Sequence, residues 1–149
     1  MNGDEKKIIS RLNPSIEEID NILKKIKKIA VVGLSPKEKR PSNSVARYLL
    51  DHGYEIIPVN PGQSEILGHK CYHSLIEIPF EVDAADLFIR TDRVPKAVDQ
   101  AIEKGIKVIW MQLGIYHIES GNRALKAGAN VVMDKCIKME HERMHASTP

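Results

Sequence analysis

The sequence predicts an α/β fold: a doubly wound parallel sheet of five or six strands, with helices on both faces in a three-layer arrangement. Three observations predict it. Five short apolar runs recur along the chain, at 29–34, 55–60, 86–90, 107–112 and 130–133, as expected of strands buried on both faces. Segments with apolar residues at helical spacing fall between them. A glycine closes each of three such segments, at Gly53, Gly105 and Gly128, where a left-handed turn ends a helix. Strand, helix, glycine, strand is the rhythm of β-α-β units, and right-handed crossovers then build a parallel sheet.

Each element follows in turn. Residues 1–13 are polar and are expected to form a loose lead-in. Ser15 with Glu18 makes a capping box for a helix over 15–28, with Ile16, Ile19, Ile22, Leu23 and Ile26 on one face. Lys24, Lys25, Lys27 and Lys28 suit its C-terminal end, where cations complement the dipole. The first strand follows at 29–34. Ser42 is expected to cap a helix running to about His52, with Val45, Ala46, Leu49 and Leu50 inward. The second strand ends at Asn60, and a short edge strand is weakly signalled near Lys70, Cys71 and Tyr72. After the strand at 86–90, Val94, Ala97, Val98, Ala101 and Ile102 repeat with helical spacing. The strand at 107–112 carries Trp110, expected in the core or a pocket wall. A helix at 118–127 and the strand at 130–133 complete the series. The whole chain, 1–149, is expected to form one domain.

Composition narrows the function classes. A chain of 149 residues supports one domain with a real core. With 42% hydrophobic and 28% charged residues it reads as globular, and with 5% aromatics its core must be aliphatic. A net charge of +2 is too small to argue for a nucleic-acid partner. The two cysteines, Cys71 and Cys136, suit reduced thiols rather than a disulfide framework. The opening residues lack a signal-peptide apolar stretch, and no run approaches the ~20 apolar residues of a membrane helix. A cytoplasmic protein without a membrane partner is expected.

Ligands of open α/β sheets bind beyond the carboxyl ends of the strands, at the switch in strand order. That rule selects the loops at 33–44, 60–63, 90–94 and 112–116. The first is the most informative. Gly33 permits close backbone approach, and Ser35, Ser42 and Ser44 supply hydroxyls. The opening of the next helix favours an anion. Lys37, Lys39 and Arg40, with Arg47 beyond them, cluster against the single acid Glu38. The loop is suited to phosphate, hence to a small-molecule nucleotide ligand. G-x-G-x-x-G is absent, since no glycine lies between Gly33 and Gly53, and Asn60-Pro61 stands where a ribose-binding acid would. The phosphate-loop motif of nucleotide triphosphatases is absent too.

The run VVGLSPKEKRPSNSVARYLLDHGYEIIPVNPG, followed by ILGHKCYHSLIEIP, the spaced residues of Val82-Asp83, Asp86, Phe88 and Arg90, VIWMQLG and VVMDKCIKMEH, resembles the small stand-alone CoA-binding proteins. These are related to the CoA-binding domain of the succinyl-CoA synthetase α subunit. The resemblance covers about 29–143. It implies a Rossmann-like fold with coenzyme A, or an acyl-CoA, lying across these loops. It assigns Gly33, Leu34 and Ser35 to the nucleotide-contacting loop and Lys39 and Arg40 to a basic stretch near the CoA phosphates. Val59, Asn60 and Pro61 match the turn after the second strand. Arg90 and Thr91, with Val94 at the end of that loop, fall after the next long strand. Gln112 and Gly114 match a W-x-Q-x-G segment. His117 stands where many relatives carry asparagine, and the Arg90-Thr91-Asp92 stretch differs from the commoner version. The synthetase's phosphorylated histidine belongs to a second domain, so the resemblance implies binding without catalysis. The alternatives are an acyl-CoA- or NAD(P)-dependent enzyme using the same cleft, and a CoA-responsive interaction module.

Three other constellations read more plainly. His141-Glu142-Arg143-Met144-His145 matches H-E-x-x-H, but it lies in the last nine residues and no catalytic zinc is expected. His69, Cys71 and His73 alternate, so a strand would place them on one face; a fourth metal ligand is unidentified. Asp83, Asp86 and Asp92 are too scattered for a catalytic carboxylate pair. No catalytic residue and no metal are assigned.

Overall fold

A computed structural model describes residues 1–146. Its centre is a five-stranded parallel sheet in the order β2-β1-β5-β6-β7. These strands are β1 (Lys28–Val32), β2 (Glu55–Val59), β5 (Ala84–Leu87), β6 (Val108–Met111) and β7 (Asn130–Val132). Every strand is two-sided and nearly all its residues are buried, which is why they read as apolar runs. The expected doubly wound α/β architecture is what the chain adopts. The order reverses between β1 and β5, which places the switch point beyond Val32 and Leu87.

Six helices cover the two faces. α1 (Gly3–Leu12), α4 (Val94–Lys104) and α5 (Ile118–Lys126) share one core with Ile57, Leu87 and Ile109. α2 (Ile16–Lys25), α3 (Pro41–Asp51) and α6 (Ile137–Ala146) share the other with Val31, Trp110 and Val132. The alternation of side chains along each strand feeds both cores.

The lead-in at 1–13 is not loose. Asn2 and Glu5 form a reciprocal capping box for α1. Ile9 is buried against α5 and the sheet. The Asn13 side chain then clasps Met133, donating to its carbonyl at 2.9 Å and accepting from its N–H at 2.7 Å. One apolar contact row is enough to dock a short polar helix that composition alone reads as loop.

The helix over 15–28 is shorter than expected. It stops at Lys25 because the Asp83 carboxylate accepts from the N–H groups of Lys27 and Lys28, both at 2.8 Å. Those residues are thereby drawn into the start of β1. The Tyr54 hydroxyl donates to the Leu23 carbonyl at 2.6 Å and closes the same helix end.

The weakly signalled edge segment is a small hairpin of β3 (Glu65–Ile66) and β4 (His69–Lys70), and Tyr72 bridges Val59. The Tyr72 N–H donates to Pro58, and the Asn60 N–H donates to Tyr72. The exposed margin of β2 is thus covered. Gly53, Gly105 and Gly128 all take positive φ after their helices, as expected. Among the described residues no helix is long and apolar enough to cross a membrane.

Candidate functional site

The switch point is a ridge with a cleft on either side. The ridge is Gly33, at the exit of β1, against Phe88, Ile89 and Arg90, at the exit of β5; all four residues border both clefts. The Phe88 N–H donates to Val32, and the Gly33 N–H to Val59. Gly33 has φ +84°. A Cβ there would run into the Phe88 carbonyl oxygen and lie 2.9 Å from Ile89 Cγ2. What approaches this glycine closely is therefore the neighbouring strand's backbone. The expectation that Gly33 makes room for a ligand is sharpened: it first makes room for the ridge.

The cleft on the α4 side has a volume of about 680 Å³ and is floored by Val59, Leu75 and Ala97. Asn60, Pro61 and His73 form one wall, and Arg93, Lys96 and Gln100 the other. Asp92 lies on this cleft but is paired with Arg90, Nε to Oδ1 at 3.4 Å. The remaining cations make the cleft an electropositive groove.

The cleft on the α3 and α6 side has a volume of about 800 Å³. Ser35, Lys37, Arg40 and Ser42 border one end; Val45, Leu113, Ile115, Cys136 and Met139 border the rest. Its basic end is an ordered loop. Ser42, 5% exposed, accepts from the Ser35 N–H at 3.0 Å, and Ser35 Oγ accepts from the Lys37 N–H. The buried Asn43 donates to the Ser35 carbonyl, and Asn60 donates to the Leu34 carbonyl, each at 2.9 Å. Arg47 folds back on Asn43 and on the Glu38 carbonyl. The serine hydroxyls thus shape the loop as well as face the cleft.

Ser42 does not cap α3. The N-cap is Arg40, whose side chain makes no capping bond, and Pro41 opens the helix. Proline is at home in that first position. Arg40, Pro41 and Ser42 line the cleft, so the helix's uncapped N-terminal dipole end borders it.

The apolar wall is held by long-range bonds. Gly114 N–H donates to Asp134 Oδ1 at 2.7 Å, and the Asp134 N–H to the Ile115 carbonyl at 3.0 Å. Trp110 Nε1 donates to the Lys135 carbonyl at 2.7 Å, and the Ile137 N–H to Gln112 Oε1 at 3.1 Å. Asp134 takes a left-handed conformation, φ +60°, to make this turn. The loops after β6 and β7 are therefore zipped together, which fixes Leu113, Cys136 and Met139 around the cleft.

The structure brings Gly33, Ser35, Arg40, Ser42, Val59, Asn60, Pro61, Arg90 and Gln112 to the two clefts. It places Leu34 and Val94 in the core, fully buried. Lys39, Ser44, Thr91 and Gly114 are not on the lining of either cleft. Lys37 lines the cleft where Lys39 does not. Sequence reasoning missed His73, Arg93, Lys96, Gln100, Cys136 and Met139. Arg93, Lys96 and Gln100 carry a usable signal, since they follow Arg90 at helical spacing. Cys136 and Met139 carry none.

The remaining constellations do not assemble into sites. His69 lies in β4, Cys71 is buried with its Sγ 3.5 Å from the Asn60 carbonyl, and His73 pairs with Glu77. They do not share a strand face as expected, because only His69 belongs to a strand. Burial pushes the Cys71 thiol's pKa up. His141 is buried against α3, its Nδ1 2.8 Å from the Tyr48 hydroxyl and its Nε2 3.2 Å from His145 Nε2. Burial, then the neighbouring His145 and His52, push the His141 pKa down. Arg143 bridges Asp20 of α2 and Glu140. The H-E-x-x-H segment is thus docked through its first histidine. Among the described residues no group of three or more His, Cys, Asp or Glu could hold a metal ion.

Known proteins share this arrangement. The chain is 42% identical over 129 residues to the uncharacterized protein YneT of Bacillus subtilis, covering 87% of this chain and 96% of that one. A hypothetical protein from Pyrococcus horikoshii superposes with a TM-score of 0.86 at 45% identity, covering 89% of this chain and 93% of that one. Acetate–CoA ligase (ADP-forming) I of Archaeoglobus fulgidus is 37% identical over 81 residues, 54% of this chain, and that match spans 12% of the ligase. A family described as "CoA binding domain" matches residues 27–142, and the chain belongs to it.

Proposed function

We propose that this protein binds coenzyme A or an acyl-CoA across the ridge at Gly33, and that it does so without catalysing a reaction on it. The observation that carries the reading is the pair of clefts meeting at the sheet's switch point, lined by cations from two stretches of chain, the loop after β1 and the segment after β5. Lys37 and Arg40 approach from one side, Arg93 and Lys96 from the other, and Arg90 stands between. CoA carries a diphosphate and a 3′-phosphate on an elongated frame, and this layout matches that charge and length. Membership of the CoA-binding family supports the same ligand.

Isothermal titration tests the reading. CoA is expected to bind, dephospho-CoA more weakly, and NADP weaker still. Arg40→Ala is expected to reduce CoA affinity roughly tenfold or more, the usual effect of losing a charge-assisted contact. Lys39→Ala, which removes an exposed charge outside both clefts, is expected to change affinity by less than about threefold, the scale of an exposed ion pair. Absence of CoA binding, or equal effects of the two substitutions, overturns the assignment.

A further inference from the structure

We infer that the α3–α6 cleft is an acyl-chain subsite, so that the preferred ligand is an acyl-CoA with an apolar acyl group of several carbons rather than free CoA. The inference rests on the reading above and deepens it. Its basis is the make-up of the α3–α6 cleft, which joins a basic loop to an apolar wall. No carboxylate lines the α3–α6 cleft; beside its cations Lys37, Arg40 and Arg90 and the polar Ser35, Ser42 and Gln112, its lining is apolar and includes Leu113, Ile115 and Met139. A ligand bearing phosphates at one end and a neutral arm at the other has one matching orientation. Its charged end takes the groove, the junction and the basic loop at Lys37 and Arg40, and its neutral end runs on to the apolar wall of the α3–α6 cleft.

The exposed apolar residues point the same way. Leu113 is 61% exposed and Met139 is 56% exposed, yet both border this cleft. Large apolar side chains left in water beside a cleft gain most when a ligand covers them. Neither is a loose loop residue. Leu113 sits between Gln112 and Gly114, both hydrogen-bonded to the β7–α6 segment. Met139 lies on the first turn of α6, whose opening N–H is held by Gln112. The wall is built before the ligand arrives, so an acyl chain meets a formed surface. A bare thiol would leave that surface uncovered.

Titration with CoA, acetyl-CoA, butyryl-CoA, hexanoyl-CoA and octanoyl-CoA tests the inference. Affinity is expected to rise roughly two- to fourfold for each methylene buried, up to the length that fills the cleft. The octanoyl-CoA to CoA affinity ratio is expected to collapse toward one in Leu113→Ser/Met139→Ser. Ile76→Ser, which removes an exposed apolar side chain outside both clefts, is expected to keep the ratio. Both substituted residues of the double variant are exposed, and an unchanged thermal midpoint establishes that it folds. Equal affinity for CoA and every acyl-CoA overturns the acyl subsite while leaving CoA binding intact. A chain-length dependence that survives in the double variant also overturns it. Failure of every compound to bind removes both readings together.

Discussion

The two clefts share one ridge and differ in how the chain supplies their side chains. Phe88 and Ile89 are adjacent in sequence, but strand alternation turns them to opposite faces, Phe88 against the Trp110 core and Ile89 against the Ile109 core. The α4 cleft takes its cations from one stretch of chain: Arg90, Arg93 and Lys96, with Gln100 beyond them, follow one another around the first turns after β5. The α3–α6 cleft is assembled from three distant segments, at Ser35–Val45, Gln112–Ile115 and Cys136–Met139. Local helical spacing can lay out a charged groove. An apolar pocket needs walls brought together by the fold, and here side-chain-to-backbone bonds secure them.

The largest expected effect strikes both clefts at once. Gly33→Val places a side chain against the Phe88 carbonyl and forces a branched residue to positive φ. It is expected to destabilise the fold by about 3 kcal/mol or more, read as a lowered urea midpoint. Gly53→Ala, also at positive φ but with open space around it, is expected to lose only about 1 kcal/mol. Equal losses would show that the ridge is not the constraint.

The next effect separates the faces. Asp86 lies fully buried in the centre of β5, flanked by Val31 and Trp110, and neither carboxylate oxygen has a hydrogen-bond partner. Burial holds its pKa well above the ordinary carboxylate range. The folded protein therefore keeps this proton while the unfolded chain releases it above about pH 3.9. Stability falls as pH rises from there toward the folded pKa, by about 1.4 kcal/mol per pH unit. Asp86→Asn is expected to abolish that slope and to raise the urea midpoint at pH 7.5 relative to the native protein. An unchanged pH slope would mean that Asp86 is ionised in the fold.

The smallest effect is confined to one wall. Asp134→Ala removes the acceptor for the Gly114 N–H and leaves alanine at positive φ. A loss of about 1–2 kcal/mol is expected, with acyl-chain affinity falling more than CoA affinity. A parallel fall in both would place this wall outside the acyl end.

Much of the fold was legible because parallel strands buried on both faces leave continuous apolar runs and because glycines mark the helix ends. The misreadings share a cause. The end of α2 is set by Asp83, over 50 residues away from Lys27, and the docking of α1 by Asn13 against Met133. The zipped wall joins Gly114 to Asp134 and Trp110 to Lys135. None of these pairings has a local pattern. The candidate site was legible where a strand-end rule selects loops, at Gly33, Asn60 and Arg90. It was not legible at Cys136 and Met139, whose position depends on how α6 packs.

The shared ridge has a thermodynamic consequence. A molecule short enough to fit one cleft gains one set of contacts, whereas one long enough to bend over Gly33 gains both for a single loss of translational freedom. The two halves of such a ligand act as a tethered pair, each raising the other's effective concentration to the millimolar range typical of short linkers. A nucleotide fragment and a pantetheine fragment supplied separately are therefore each expected to bind far more weakly than the intact molecule, whose association constant approaches the product of theirs multiplied by that effective concentration. Avidity within one ligand, set by the narrowness of a glycine, is what the ridge would confer on a molecule that spans it.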